Sequence, residues 1–215
     1  KYLRSQGTPI YYIPWPIGID MESTDKLRTS TKRRWGIYAG SLLPSKNIQE
    51  FTETIPKILN ETPTEKFIFI GHGPEEKVVA RLQKRFGTRI QYALDLPKAR
   101  VMELTASSWY AYTPAREYGS WAFIGDCWAV GTPMIITYDS GYINAGCNGL
   151  VECPSSIARV INNLFHDHRL YQRLIEGGFA EASERHPKRI AAKLFAVIAE
   201  CAKYHDTRPV RHLEI

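Results

Sequence analysis

The chain has 215 residues, of which 44% are hydrophobic and 23% are charged, and its mean hydropathy is −0.30. This composition is ordinary for a globular domain and excludes a largely disordered chain. No uninterrupted apolar run approaches the roughly 20 residues that a membrane-spanning helix needs. The net charge of +6 and the pI of about 9.1 favour anionic partners, a class that includes phosphate-bearing ligands, nucleic acid and anionic membrane.

Residues 1–34 form a leading segment that is predicted to be irregular and extended, because prolines stand at positions 9, 14 and 16. Lys32, Arg33 and Arg34 are the densest basic run, and we interpret them as solvated charge. The first residue is Lys1 rather than methionine, so we expect a fragment or a processed product.

From Trp35 onward, apolar β-type runs alternate with amphipathic stretches. Strands are predicted over 35–40, 66–71, 89–93, 109–113, 133–137 and 149–153. Helices are predicted over 48–59, 75–86, 97–106, 121–130, 156–166, 168–184 and 187–204. Ser155 is the predicted N-cap of the helix at 156–166. This alternation predicts one α/β domain with a Rossmann-like parallel sheet and helices on both faces.

The four cysteines show no CxxC pair and no regular framework. Free thiols in a reducing compartment fit this pattern better than disulfides or a zinc site. We therefore expect a cytoplasmic protein, with contact to a membrane surface left open. No pair of acids has the spacing of metal ligands, so no metal is implied.

Glycine follows several predicted strands, at Gly40, Gly71 and Gly73. Open parallel sheets bind ligands at the carboxyl ends of their strands. A glycine there lets the backbone approach a ligand closely, although glycine also ends strands for turn geometry alone. The arrangement predicts a ligand cleft along this edge.

The segment from Pro114 to Thr137 is the most informative part of the chain. Glu117 and the Gly119-Ser120 turn precede an apolar helix that carries a second acid, Asp126. A strand-end loop that opens onto a helix start suits a phosphorylated, hydroxyl-rich ligand. An acid inside an apolar helix also needs a partner.

Five pieces of the chain, in order, resemble the C-terminal, donor-binding domain of GT-B fold glycosyltransferases, and the resemblance is strongest to the large retaining family 4. The resemblance covers about residues 11–205. The five pieces are YIPWPIGID, YAGSLLPSKNIQEFTETIPKI, FIFIGHGPEE, PAREYGSWAFIGDCWAVGTPMII and GYINAGCNGLVECP. It implies a nucleotide-sugar-binding domain over 35–205, followed by a tail over 206–215.

The resemblance also implies roles for individual residues. Lys46 would contact the donor diphosphate and Glu117 the transferred sugar, and these two are the implied catalytic residues. Asp126 would hold the nucleotide ribose. The remaining implied donor contacts come from strand-end residues and from backbone groups, at Gly40, Ser41, Gly71, Gly73, Ala93, Leu94, Gly119, Ser120 and Trp121.

Three departures from the family pattern concern the same site. Ser41 stands where the family has an arginine, and Arg116 is a candidate to replace that cation. Eight residues rather than seven separate Glu117 from Asp126, so Tyr118 holds the strict position of the first acid. Either a one-residue bulge restores Glu117 to that position, or the Tyr118 hydroxyl contacts the sugar instead. Asp126 is one methylene shorter than the usual glutamate.

The implied activity is transfer of a sugar from a nucleoside-diphosphate sugar to an acceptor, with retention of anomeric configuration and without a cofactor. The acceptor-binding half is expected in a preceding domain or in a separate chain. Two alternatives stay open. One is a non-catalytic nucleotide-sugar-binding or partner-docking module derived from such an enzyme, and the other is a basic nucleic-acid-binding protein.

Overall fold

The computed structural model describes residues 11–18, 21–28, 31–115, 121–138 and 141–206. The chain separates into two compact units. One unit combines residues up to Ile17 with residues from Glu184 onward, and the other runs from Gly18 to Ser183. In the part of the chain that is described, no helix is both long enough and apolar enough to cross a membrane.

The larger unit contains a six-stranded sheet in which every strand pairing is parallel. The strands are β1 (Arg33–Ala39), β2 (Lys66–Ile70), β3 (Ile90–Ala93), β4 (Ser108–Thr113), β5 (Met134–Ile136) and β6 (Leu150–Val151). Their spatial order is β3-β2-β1-β4-β5-β6. Strands β2 and β3 therefore follow β1 on one side of the sheet, and β4, β5 and β6 follow one another on the other side of β1. The predicted α/β class and Rossmann-like parallel sheet are confirmed.

Eight α-helices occur among the described residues: α1 (Met21–Arg28), α2 (Phe51–Glu61), α3 (Glu76–Phe86), α4 (Lys98–Ser107), α5 (Trp121–Val130), α6 (Ile157–His166), α7 (His168–Glu184) and α8 (Pro187–Asp206). Helices α2 to α8 agree with the sequence predictions to within three residues at each end. The predicted N-cap of α6 is wrong by one position, because Ser156 occupies the N-cap position, where its side chain makes no capping hydrogen bond. The Ser156 hydroxyl donates instead to Glu152 Oε2 at 2.9 Å.

Helices cover both faces of the sheet. Alternate residues of each strand point to opposite faces, so the sheet packs against helices on both sides. Phe67 and Phe69 of β2 face the larger apolar cluster, to which α2, α3, α6 and α7 contribute. Phe51 makes edge-on contacts there with Tyr38, Phe69 and Tyr112, at centroid distances of 5.3, 4.9 and 5.4 Å. This geometry is favourable between aromatic rings and fixes the start of α2 against the sheet.

Helix α1 lies within the segment that was predicted to be irregular, so that prediction is wrong for Met21–Arg28. The sequence of α1 has too few apolar residues to show a helical period. Tertiary contacts stabilise it instead. Arg28 Nε donates to the Ala129 carbonyl at 3.0 Å, and Leu27 packs against the smaller cluster of Met102, Ala106 and Val130.

The basic run Lys32-Arg33-Arg34, which leads into β1, is not a uniformly solvated patch. The Lys32 ammonium donates to Thr132 Oγ1 at 2.9 Å, and burial lowers the pKa of Lys32 to about 7. The Arg33 guanidinium lies over the Trp35 ring, 4.8 Å from its centroid. Two of the three cations therefore have partners within the domain, and the interpretation as solvated charge is wrong for Lys32.

The smaller unit joins the leading residues to α8. Ile17 N–H donates to the Arg185 carbonyl at 3.0 Å. A cavity of about 400 Å³ lies between the proline-rich residues and the start of α8, and its lining includes Trp15, Ile190 and Leu194. Large apolar side chains are exposed on this unit, at Tyr12, Trp15, Leu194, Phe195 and Ile198.

Candidate functional site

A cavity of about 320 Å³ lies at the carboxyl ends of β1 and β2. Ligand sites of open parallel sheets occur at this edge, beside the point where the strand order reverses. The cavity brings together five residues that sequence reasoning placed in the site: Gly40, Ser41, Gly71, Leu94 and Asp126. These residues come from four separate parts of the chain, so only the fold assembles them.

The floor of the cavity consists of two strand-end loops that are bonded to each other through their backbones. Gly40 N–H donates to the Ile70 carbonyl at 2.9 Å, and Leu42 N–H donates to the His72 carbonyl at 2.8 Å. The Gly71 amide continues the ladder to the Ala93 carbonyl at 3.0 Å. The floor is therefore a continuation of the sheet hydrogen bonding beyond the strands.

Two glycines in the loop after β2 are required by the contact between the loops. Gly71 has φ +133°, and a Cβ built there would lie 2.0 Å from the Gly40 oxygen. Gly73 has φ +154°, and its Cβ would lie 2.5 Å from the Leu42 oxygen. The Gly73 amide already donates to Glu76 Oε1 at 3.0 Å. Loop packing therefore accounts for both glycines, and their contact with a ligand stays a prediction.

Asp126 projects from α5, a helix that is otherwise apolar, and only 6% of it is exposed. Sequence reasoning required a partner for this acid but did not identify one. The partner is Lys98, at the first residue of α4, whose ammonium is hydrogen-bonded to Asp126 Oδ2. Both side chains line the cavity. Lys98 is thus a site residue that sequence analysis missed, since nothing in the sequence relates positions 98 and 126.

The surroundings of Asp126 act on its charge in opposite directions. Burial raises the pKa of Asp126 above its ordinary value, and the neighbouring Lys98 ammonium opposes that rise. A carboxylate that is desolvated and paired on one oxygen presents its other oxygen as an acceptor. In this position it can accept hydrogen bonds from hydroxyl groups of a bound ligand.

Lys46 ends a short 3₁₀ turn over Pro44–Lys46 and is half-buried. Asn47 follows in the left-handed conformation, with φ 54°. Lys46 lies on the same edge of the sheet but does not line the 320 Å³ cavity. Its predicted contact with a diphosphate stays a prediction.

A second buried acid, Glu50, holds the turn after Lys46, and sequence analysis missed it. Glu50 Oε1 accepts hydrogen bonds from Tyr112 at 2.8 Å and from Thr137 Oγ1 at 2.6 Å. Its Oε2 accepts one from Asn47 Nδ2 at 2.7 Å. The one signal in the sequence was its position between two apolar residues, Ile48 and Phe51, which are both buried.

The Glu50 cluster also borders a separate cavity, of about 360 Å³, whose lining includes Asn47, Glu53 and Tyr138. Tyr112 and Thr137 come from the ends of β4 and β5. Among the described residues, the carboxyl edge of the sheet therefore has a cavity near β1 and β2 and another near β5.

The loop ahead of α5 carries several predicted contacts that lie outside the described residues: Arg116, Glu117, Tyr118, Gly119 and Ser120. Trp121 is described and begins α5. Its ring lies 5.6 Å from that of Trp128 and 5.0 Å from that of Tyr142, measured between centroids. The roles assigned to the loop stay predictions.

The profile of the family Glycosyl transferases group 1 matches residues 33–167, which is more than half of the chain. The chain belongs to this family. The match includes the whole sheet and both buried acids. No curated protein matches this group 1 chain in sequence. The suspected family is confirmed at this level, and the narrower resemblance to family 4 stays a prediction.

Several solved structures share the fold of this group 1 chain. The pneumococcal O-GlcNAc transferase GtfA, solved with UDP and GlcNAc, is 18% identical with a TM-score of 0.70, over 89% of this chain and 40% of GtfA. Anabaena Alr3699/HepE, solved with UDP and glucose, is 16% identical with a TM-score of 0.63, over 86% of this chain and 53% of HepE. The chain thus spans about half or less of these proteins.

A third structure is of comparable size to the chain. It is the C-terminal domain of the glycosyl transferase group 1 family protein LpcC from Francisella tularensis, which is 17% identical with a TM-score of 0.57. The match covers 78% of this chain and 93% of that domain. At these identities the likeness concerns the fold, and it confirms the predicted half of a GT-B fold.

Proposed function

We propose that this chain is the donor-binding half of a glycosyltransferase that uses a nucleoside-diphosphate sugar. One observation carries the proposal beyond family membership. The cavity at the carboxyl ends of β1 and β2 combines a buried acid, Asp126, with loop hydroxyl and backbone groups at Ser41 and Leu94. A nucleotide offers matching chemistry, because it has ribose hydroxyls, a base edge and an anionic diphosphate.

In this proposal each group of the donor meets a different part of the edge. Asp126 accepts hydrogen bonds from the ribose hydroxyls, and the backbone around Leu94 lies beside the base. Lys46 lies on the turn that follows β1 and offsets the charge that develops on the departing diphosphate. Glu117 contacts the sugar that is transferred.

The proposed reaction breaks the bond between the anomeric carbon and the diphosphate oxygen. The acceptor oxygen forms the new bond to that carbon, and the acceptor proton leaves with the nucleoside diphosphate. Retention of anomeric configuration and the absence of a cofactor are part of the proposal. Positioning of donor and acceptor supplies much of the rate enhancement in such transfers.

The acceptor would bind to another domain or to another chain. UDP is the first nucleotide to test, because the pneumococcal and Anabaena proteins were solved with UDP. A cytoplasmic location stays a prediction from the cysteine pattern. Anionic membrane and nucleic acid stay untested as partners.

A second candidate function is a non-catalytic module that binds nucleotide sugar or docks to a partner. Ser41 favours it, since this residue lines the cavity where the family pattern has a cation. Such a module would bind nucleotide without turning the donor over.

Calorimetry with UDP-, GDP- and ADP-sugars tests the proposal, followed by assays of transfer and donor hydrolysis with the nucleotide that binds. We expect one base to be preferred and the Asp126→Ala variant to bind it more weakly. Glu103→Ala is the control, because Glu103 is a half-exposed acid paired with Arg100 on α4. No binding to any of these donors overturns the proposal, and binding without transfer or hydrolysis selects the module.

A further inference from the structure

The ion pair between Lys98 and Asp126 connects two helices at the wall of the 320 Å³ cavity. Asp126 is buried, with 8% of its side chain exposed, whereas 51% of the Lys98 side chain is exposed. Among the described residues, Lys98 is the one recorded hydrogen-bonding partner of this carboxylate. The charge of Asp126 therefore depends on a side chain that solvent and ligand can reach.

The position of Lys98 is unfavourable for a lysine in isolation. It is the first residue of α4, and the first turn of that helix contains no acid. The positive end of the helix dipole disfavours a cation at this place. The Asp126 carboxylate, which comes from α5, offsets that repulsion. The lysine is thus explained by its contact across the cavity wall and not by the helix that carries it.

We propose that Lys98 is a positioning residue of the donor site, which keeps the Asp126 carboxylate ionised and directs its open oxygen toward the ribose hydroxyls. This inference rests on the proposed function and assigns a role to a residue outside the family resemblance. A protonated carboxyl group would offer one fewer acceptor to the two hydroxyls. Donor affinity should therefore depend on Lys98 without requiring that Lys98 touch the donor.

Other titratable groups also lie around Asp126. They are Cys127 on α5, Lys32, whose charge acts on that thiol, and His72 and Asp95 on the lining of the same cavity. From α1, Arg28 contacts α5 at the Ala129 carbonyl. All of these groups are shared by the wild type and by variants at position 98. The comparison between them at each pH therefore isolates the effect of Lys98.

The test measures affinity for the nucleoside diphosphate that binds best, by calorimetry, at about pH 6 and about pH 8.5. Burial raises the pKa of Asp126, and Lys98→Met removes the cation that opposes this rise. The acid then protonates at a higher pH than in the wild type. We expect Lys98→Met to bind roughly tenfold more weakly at the lower pH and to recover most of that loss at the higher pH.

Three further variants separate positioning from a general loss of structure. Lys98→Arg keeps the charge and should bind within about threefold of the wild type at both pH values. Arg100→Met removes a neighbouring cation that is paired with Glu103 on the outside of α4, and it should bind like the wild type. In an Asp126→Asn background, Lys98→Met should have no further effect.

A loss of affinity that is equal at both pH values, or that persists in the Asp126→Asn background, overturns the role of Lys98. Unchanged affinity in Lys98→Met overturns it as well, while leaving the proposed function intact. Absence of nucleotide binding by the wild type overturns the proposed function and, with it, this inference.

Discussion

Asp126 and Glu50 are two buried carboxylates at the same edge of one sheet, and the fold satisfies them in different ways. Asp126 is paired with a cation, Lys98, through one of its oxygens. Glu50 receives three hydrogen bonds from neutral groups, at Tyr112, Thr137 and Asn47. A buried charge needs compensation, and either arrangement supplies it.

This difference in hydrogen bonding indicates a different role for each acid. Both oxygens of Glu50 are occupied by protein donors, so this acid is suited to holding structure together. Asp126 lines a cavity and has one oxygen without a recorded partner in the described part of the chain. A carboxylate that the protein leaves partly unsatisfied at a cavity wall is suited to binding a ligand.

Glu50 still matters to the site, through the turn that it holds. Its backbone N–H donates to the Asn47 carbonyl at 3.0 Å, and the Asn47 N–H donates to the Pro44 carbonyl at 2.8 Å. Lys46 lies inside this turn. Glu50 therefore ties the backbone at Lys46 to the ends of β4 and β5.

The largest effect that we expect tests whether Lys46, on the turn held by Glu50, takes part in the transfer reaction. Lys46→Ala should lower turnover by about 100- to 1000-fold, because it removes a cation from the diphosphate as negative charge develops there. The measurement is the steady-state rate of transfer or donor hydrolysis, with thermal unfolding as a check on the fold. Lys57→Ala on α2 is the matched control. Wild-type turnover in the Lys46 variant would remove Lys46 from the mechanism.

The next effect concerns stability and is specific to Glu50. Glu50→Ala should lower the free energy of unfolding by about 2–3 kcal/mol, since it leaves buried hydroxyl and amide donors without their acceptor. Denaturant unfolding measures this change. Glu53→Ala, three residues further on in α2 and exposed, should change the free energy by less than about 0.5 kcal/mol. Equal effects of the two variants would contradict the structural role of Glu50.

The smallest expected effect is on nucleotide affinity and concerns Asp126. Asp126→Asn should weaken nucleotide binding by about tenfold, which is roughly 1.4 kcal/mol, because the amide replaces one acceptor oxygen by a donor. Its free energy of unfolding should change by less than that of Glu50→Ala, since Lys98 is half-exposed and can be solvated when its partner is lost. If nucleotide affinity proved more sensitive to Glu50→Ala than to Asp126→Asn, the division of roles between the two acids would be wrong.

Local patterns along the chain were enough to predict the sheet and most of its helices. β-branched and aromatic runs such as that of β2 are buried on both faces, and the amphipathic period of α2 and α3 follows from having one face against the sheet. Helix α1 escaped prediction because its stability comes from long-range contacts of Leu27 and Arg28. Its own residues carry no periodic signal.

Motif order likewise identified the family and marked Asp126 as an acid in need of a partner. Which residue supplies that partner was settled only in three dimensions, since 28 positions separate Lys98 from Asp126. The same is true of Glu50, which meets Tyr112 and Thr137 across separations of 62 and 87 positions. Residue types and their local spacing reflect backbone preference and burial, whereas the pairing of distant polar groups depends on the packing of strands and helices that brings them within hydrogen-bonding distance.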